Sequence, residues 1–137
     1  MTRRLLLGLA ILLASPARAE GLPVELAAKY LLIVAEAAGS TGRVACREMD
    51  MAMYLKKQGI SVDAKASTAW AFTAAQARDY GAEGKFVVCN ERKLLAEGGC
   101  LAFEKVSGRI LVFVHQANLA RSGVKLPDSI LNGAVKI

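Results

Sequence analysis

Helical and strand-like patterns alternate along residues 23–89 of this chain, and this alternation constrains the fold more than any other feature. Helices are predicted where apolar residues recur every three or four positions, and strands where short apolar runs or apolar–polar alternation occur. Thr73 and Gln76 have the spacing of a capping box and open the third helix. The predicted elements are a helix over 23–38, a strand over 43–47, a helix over 50–58, a half-exposed strand over 60–66, a helix over 73–81 and a buried strand over 86–89; residues 67–72 fit neither pattern.

The C-terminal third predicts a hairpin. Two strand-like runs, 101–106 and 109–115, are joined by Ser107-Gly108. A two-residue connection that contains Gly is typical of a β-hairpin turn. A short helix or turn over 91–97 precedes them, and a helix over 116–122 and a helical turn from Asp128 follow. Alternating elements and a terminal hairpin favour an α/β fold: a small layered domain with a mostly parallel sheet and an antiparallel C-terminal hairpin.

The N-terminus has the order of charges and apolar residues found in a secretory signal peptide. Arg3 and Arg4 precede ten uncharged, mainly apolar residues, and Ala17-Arg18-Ala19 is a small-x-small cleavage site. Ten residues span only about 15 Å as a helix, about half of a bilayer core, so stable membrane insertion is not expected. We therefore predict a cleaved signal peptide over 1–19, with cleavage near Ala19/Glu20, and a single domain over 20–137.

Loss of that segment changes the charge of the chain. The formal net charge of +6 includes Arg3, Arg4 and Arg18, and residues 20–137 keep 15 basic and 12 acidic residues, a net charge of +3. The basic residues are dispersed and do not interleave with aromatic ones. Nucleic-acid binding therefore has little support.

Three cysteines, Cys46, Cys89 and Cys100, allow at most one internal disulfide. Cys89 and Cys100 bracket a short segment that a local bridge could close. Cys46 and Cys89 both end strand-like runs and could meet in a sheet, and a third interpretation makes the cysteines buried apolar residues. A metal site is not expected, because there is no C-x-x-C motif and only one His.

Few residues suggest catalysis, and we predict no enzyme activity and no cofactor. The single histidine, His115, is better interpreted as structural, Glu48 and Asp50 beside Arg47 as a solvated helix cap, and the glycines form no phosphate-binding loop. A binding module is a separate alternative, because open parallel sheets have a crevice at the carboxyl ends of their strands. Three aromatic residues are candidates to line it, although such residues more often belong to the core: Trp70, Phe72 and Tyr80.

Three stretches of the C-terminal block and three residues after them carry a family resemblance: Gly98–Phe103, Gly108–Val114 and Asn118–Leu126, followed by Leu131, Ala134 and Val135. They resemble the YfiR/HmsC-like family. Members of that family carry a Gly-Gly pair, a short hairpin, an Asn-Leu-rich helix, an Ala-Gly-Leu-Lys turn and a closing Ser-Ser-x-Leu-Leu helix. This chain departs from the pattern at His115, where the family usually has Asn, and at Pro127-Asp128, which replace the Ser pair.

The resemblance implies a periplasmic, non-catalytic regulator. Such a protein binds the periplasmic sensor domain of an inner-membrane diguanylate cyclase and restrains cyclic-di-GMP synthesis, with disulfides that respond to redox conditions. For this chain it predicts a redox-sensitive partner surface near the Gly98-Gly99 loop, with Trp70, Phe72, Tyr80 and His115 as weaker partner or ligand candidates. The alternative is a periplasmic small-ligand-binding module without a cyclase partner. A homodimer stays possible.

Overall fold

A computed structural model of the chain describes residues 19–40 and 42–137. The predicted signal peptide lies outside the described residues except for Ala19. Eight strands form one sheet in the order β3-β2-β4-β5-β6-β7-β8, with β1 paired to β6. The strands are β1 Ala19–Glu20, β2 Arg43–Cys46, β3 Ser61–Val62, β4 Thr68–Ala71, β5 Phe86–Cys89, β6 Leu101–Val106, β7 Arg109–Val114 and β8 Val135–Lys136. The helices are α1 Val24–Ala37, α2 Met49–Lys57, α3 Ala74–Ala82, a 3₁₀ helix Arg92–Glu97, α4 Gln116–Ser122 and α5 Asp128–Leu131.

The predicted fold class is confirmed. The pairs β2–β3, β2–β4, β4–β5 and β5–β6 are parallel, and β6–β7 is an antiparallel hairpin. Ser107 and Gly108 have φ values of 51° and 79°, so both central residues of the hairpin turn have the positive φ of a type I′ turn. Ser107 therefore adopts the conformation for which Asn or Asp would be more usual.

Helices cover both faces of the sheet. On one face, the Tyr30 ring of α1 lies 5.4 Å from the ring of Phe103. On the other, the backbone N–H of Arg92 in the 3₁₀ helix donates to Glu104 Oε2 at 2.8 Å. Consecutive strand residues point to opposite faces of the sheet, so Phe103 points toward the α1 layer and Glu104 points toward the layer of the 3₁₀ helix. Helix α2 packs beside α1, and α3 packs beside the 3₁₀ helix.

Helix α1 packs closely because much of its inner surface is alanine. Ala27, Ala28 and Leu31 are fully buried against the sheet, and Val34 and Ala35 complete the stripe at helical spacing. In the part of the chain that the structure describes, no helix is both long and apolar enough to cross a membrane.

One predicted strand is wrong. The run 60–66 forms only the two-residue strand β3, because Asp63 Oδ1 accepts a hydrogen bond from the backbone N–H of Lys65 at 2.9 Å and turns the chain. The next strand is instead β4, Thr68–Ala71, within the segment that fitted neither pattern. All four of its residues are buried, and a strand covered on both faces shows no alternation.

The order of the strands reverses direction between β2 and β4. From β2 the chain continues through α2 to β3 on one side, and from β4 it continues through α3 to β5 on the other side. Helices α2 and α3 lie on opposite faces of the sheet. Such a reversal is a topological switch point, and in open α/β sheets a crevice forms there beyond the carboxyl ends of the strands.

Candidate functional site

A cavity of about 270 Å³ lies at this switch point, beyond the carboxyl ends of β2 and β4. This volume equals that of about nine water molecules, so an occupant would be small. We call it the switch-point cavity. Its lining residues come from the start of α1, the start of α2 and the ends of β4 and β5: Leu22, Val24, Ala27, Glu48, Asp50, Trp70, Phe72 and Asn90.

The N-terminal segment forms one wall of this cavity. Strand β1 pairs with β6 at Lys105 and Val106, farther along β6 than the positions that pair with β5. The chain then passes over the end of β5, where the backbone N–H of Leu22 donates to Asn90 Oδ1 at 3.0 Å. A Cβ on Gly21 would lie 2.5 Å from Asn90 Nδ2, so a larger residue here would displace the Asn90 side chain from its hydrogen bond with Leu22.

Trp70 lines the cavity and carries a buried hydrogen-bond donor without a partner among the described residues. Its side chain is 1% exposed, and within the described residues the indole Nε1 has no hydrogen-bond partner. Leaving a buried N–H unpaired costs about 1–3 kcal/mol, and nearly all buried polar groups in native proteins avoid this cost. An acceptor brought by a ligand would remove it.

The charged residues that line the cavity are both acidic. Glu48 caps α2: Oε2 accepts from the backbone N–H of Asp50 at 2.9 Å, and Oε1 accepts from that of Met51 at 3.3 Å. Across residues 19–40 and 42–137, neither Glu48 nor Asp50 has an ion-pair partner. The N-terminus of α2 already compensates part of the charge of Glu48 and Asp50, and a cation would meet no lysine or arginine beside them in the described lining of the cavity.

Two of the four aromatic or histidine candidates reach this cavity. Trp70 and Phe72 line it, and Phe72 is 48% exposed at its edge. Tyr80 does not, because it belongs to α3 on the other face, where the Arg47 guanidinium lies 5.0 Å from its ring centroid. His115 caps α4, its Nδ1 accepting from the backbone N–H of Asn118 at 3.1 Å. Tyr80 and His115 therefore lie outside this cavity.

Sequence reasoning did not place Glu48, Asp50 and Asn90 at a site. It interpreted the two acidic residues as a helix cap, and Glu48 does cap α2. The missing information was that β2, β4 and β5 are neighbours in the sheet, because the residues after parallel strands meet at one edge. The sequence pattern did not reveal the position of β4, so the residues that follow β2, β4 and β5 could not be placed together at one edge of the sheet.

The three cysteines carry free thiols. The register aligns Cys46 with Trp70 and Trp70 with Val88, so Cys46 and Cys89 point to opposite faces and are separated by β4. A bridge between them, one of the two predicted pairings, is therefore incompatible with this sheet.

Cys89 and Cys100 share a face but are diagonal neighbours. Cys89 pairs with Ala102, two residues beyond Cys100. The spacing between strands and the rise per residue then place the Cα atoms of Cys89 and Cys100 at a distance of about 8 Å. A disulfide needs a Cα separation of about 4.4–6.8 Å, so this bridge would require the backbone before β6 to move. A regulatory disulfide stays a prediction.

Burial makes all three thiols poor nucleophiles. Desolvation raises the pKa of Cys46 to about 11 and raises the pKa of Cys89 and of Cys100 above the ordinary value. Because the thiolate is the reactive form, we expect iodoacetamide at pH 7.5 to label the folded protein slowly. In urea without reductant, intact mass should then show three labels; a single label would reveal an internal disulfide.

The same shift makes stability depend on alkaline pH. A thiol whose pKa is higher in the folded state contributes stability that is full below the unfolded-state pKa, near 9 for Cys46, and is lost as the pH rises through about 11.

Among the described residues, no three His, Cys, Asp or Glu side chains converge as a metal site would require.

Comparison with known proteins bears on the fold alone. No family model matches the chain, and no curated protein matches it. A crystal structure of a conserved domain protein from Vibrio cholerae is similar, with a TM-score of 0.62, 8% identity, and coverage of 80% of this chain and 59% of that one. An ABC domain in complex with L-Trp from Streptococcus pneumoniae has a TM-score of 0.57 and 11% identity, covering 80% and 61%. This chain therefore spans about three fifths of each of these proteins.

Proposed function

We propose that this protein is a binding module for a small ligand that carries an amine, held in the switch-point cavity. The observation that carries the proposal is a small cavity whose charged lining residues, among those the structure describes, are both acidic, and whose wall includes Trp70, which carries a buried and unpartnered Nε1. Ligand sites typically combine apolar walls with a few convergent polar groups, and this cavity has that composition.

Each group in the cavity has a recognition role. The carboxylates of Glu48 and Asp50 attract the ammonium group, and the exposed part of the Phe72 ring offers an aromatic surface on which a cation is favourable. Trp70 Nε1 donates to an acceptor on the ligand. These contacts together select a small amine with a hydrogen-bond acceptor.

The comparison with solved structures is compatible with this proposal. The Streptococcus pneumoniae domain was crystallised with L-Trp, a small molecule with an amine and a carboxylate. At 11% identity, that ligand belongs to that protein and only suggests a class of compounds to test here.

Trp70 is the only tryptophan in the chain, so its fluorescence reports directly on this cavity. We expect zwitterionic and cationic amines, screened as a panel of amino acids and aromatic amines, to change the emission of Trp70 and raise the melting temperature. Matched alcohols and carboxylates without an amine should do neither. A panel without effect on emission or melting would overturn the proposal.

Two variants assign the contacts for any amine that binds. Trp70→Phe removes the donor together with part of the buried indole, so calorimetry should show binding weaker by at least about 2–12-fold, the value of one hydrogen bond, and the smaller side chain should also lower stability. Asp50→Asn should weaken binding further. Asp128→Asn, an equivalent change at the start of α5, is the control and should leave affinity unchanged. Equal affinity in Asp50→Asn and the parent would contradict the charge assignment.

Regulation of a membrane diguanylate cyclase, implied by the YfiR/HmsC-like resemblance, is retained as the second proposal, with periplasmic export and the absence of enzyme activity as its corollaries. Three exposed apolar side chains favour a protein contact: Met49 and Met53, on one side of α2, and Phe72 at the cavity edge. Capture of a cyclase sensor domain, compared with and without a bound amine, is its test.

A further inference from the structure

A second and larger cavity lies at the other end of the chain. It has a volume of about 560 Å³, within the range of sites that bind organic ligands. We call it the C-terminal groove. It is formed by the end of β7, helix α4, the extended segment after it, α5 and β8: Val114, Gln116, Leu119, Ala120, Gly123, Val124, Lys125, Leu126, Leu131 and Lys136.

The composition of the groove is amphipathic. Apolar side chains form most of its wall, including the buried Val114 and Leu126. The charged residues that line it are Lys125 and Lys136, and none of the acidic residues that the structure describes lines it. Within the described ranges, neither lysine forms an ion pair. The groove therefore offers apolar surface beside two lysines that form no ion pair within the described residues.

Backbone hydrogen bonds hold its walls in place. The N–H of Ile137 donates to the carbonyl oxygen of Val114 at 2.8 Å, and the N–H of Gln116 donates to that of Ile137 at 3.1 Å. Gly123 ends α4 in the left-handed conformation, with φ of 78°, and directs the chain along the groove. The cavity is thus built into the fold instead of being a gap between loose side chains.

We propose that the C-terminal groove binds a single-chain amphiphile with an anionic carboxylate head, such as a medium-chain fatty acid. Its tail lies against the apolar wall formed by Leu119, Val124 and Leu131, and its carboxylate pairs with Lys125 and Lys136. The charge complements the two lysines, and each buried methylene adds affinity. This site is separate from the switch-point cavity and does not depend on the amine-binding proposal.

The test is calorimetry with octanoate and decanoate, and with decanol and decyltrimethylammonium as matched neutral and cationic probes, all below their micelle concentrations. Decanoate is expected to bind about tenfold more tightly than octanoate, because two more methylenes are buried. Decanol should bind more weakly than decanoate, and decyltrimethylammonium most weakly. Equal binding of decanoate and decanol, or no binding of decanoate, would overturn the proposal.

Variants locate the binding. Lys125→Glu combined with Lys136→Glu should weaken decanoate binding at least tenfold and leave decanol unchanged, whereas Lys29→Glu on the exposed side of α1 is the control and should change neither. Ala120→Trp, at an exposed position that fills the groove, should abolish both. Decanoate binding that survives Ala120→Trp would place the amphiphile elsewhere. A dimer of the unliganded protein that becomes monomeric in Ala120→Trp would identify a second copy as the occupant and reject the amphiphile.

Discussion

Asn118→Asp is expected to destabilise the fold by about 2–5 kcal/mol at neutral pH. Asn118 is buried, and its Nδ2 donates to the carbonyl oxygens of Leu95 at 2.9 Å and of Gly99 at 2.8 Å. A carboxylate cannot donate to either carbonyl and repels both. The hydrogen bond that Asn118 Oδ1 accepts from Arg121 Nη2 at 2.9 Å compensates only in part.

The effect should depend on pH with a defined sign. A carboxyl group held against two carbonyl oxygens has a higher pKa in the folded than in the unfolded state, because only the protonated form can donate. The variant is therefore least destabilised below about pH 4, the unfolded-state pKa of Asp, and loses stability as the pH rises above it. Urea unfolding of the variant and of Asn132→Asp, an exposed control, measures this. Equal stability of the two at pH 7 would show that the Asn118 amide contributes little.

Gly98→Ala should cost about 2–5 kcal/mol, since two penalties act together. Gly98 has φ of +125°, a conformation that disfavours any side chain, and a Cβ there would lie 2.7 Å from the backbone oxygen of Ala77 in α3. Backbone atoms cannot move aside as a flexible side chain can, so α3 and the 3₁₀ helix would have to separate.

Gly84→Ala is the matched control for this substitution. Gly84 also has a positive φ, of +75°, but nothing lies within 4 Å of a Cβ placed on it. The free energy of unfolding of Gly84→Ala should therefore fall only by the conformational penalty, about 1–2 kcal/mol. The difference between the two variants in thermal or urea unfolding isolates the contact between Gly98 and α3. If both lose the same stability, α3 adapts to the added methyl group and the close approach is not a constraint.

The architecture could be predicted from the sequence because most elements carry their own signals. Helical periodicity and the glycine that follows it, Gly39, predict α1. The predicted Thr73 cap is confirmed, because its hydroxyl oxygen accepts a hydrogen bond from the backbone N–H of Gln76 at 3.2 Å. Gln76 reaches back to the N–H of Phe72 at 2.8 Å, one residue before the cap. Such signals are local, so the sequence contains them without knowledge of the sheet.

The candidate site was predictable only in part, because it depends on which strands are neighbours. Ala69, Trp70 and Ala71 are buried, and their side chains are covered on both faces, so β4 shows no alternation. Without β4, Trp70 and Phe72 could be named as crevice candidates but not joined to Glu48 and Asn90. The free donor on Trp70 is a property of the packed fold, and no spacing in the sequence encodes it.

The sheet ends in two very short strands, which limits how copies of this protein can associate. Among the described residues, β3 and β8 end the strand order with two residues each, and β8 pairs only with Phe113 and Val114, so residues 109–112 of β7 have no strand partner on that side. An edge exposes unpaired N–H and C=O groups on which another chain can add a strand, and shortness is one of the ways in which proteins suppress such addition. Strand addition is therefore disfavoured at β3 and β8 themselves, and a strand from another copy would pair most readily along residues 109–112 of β7.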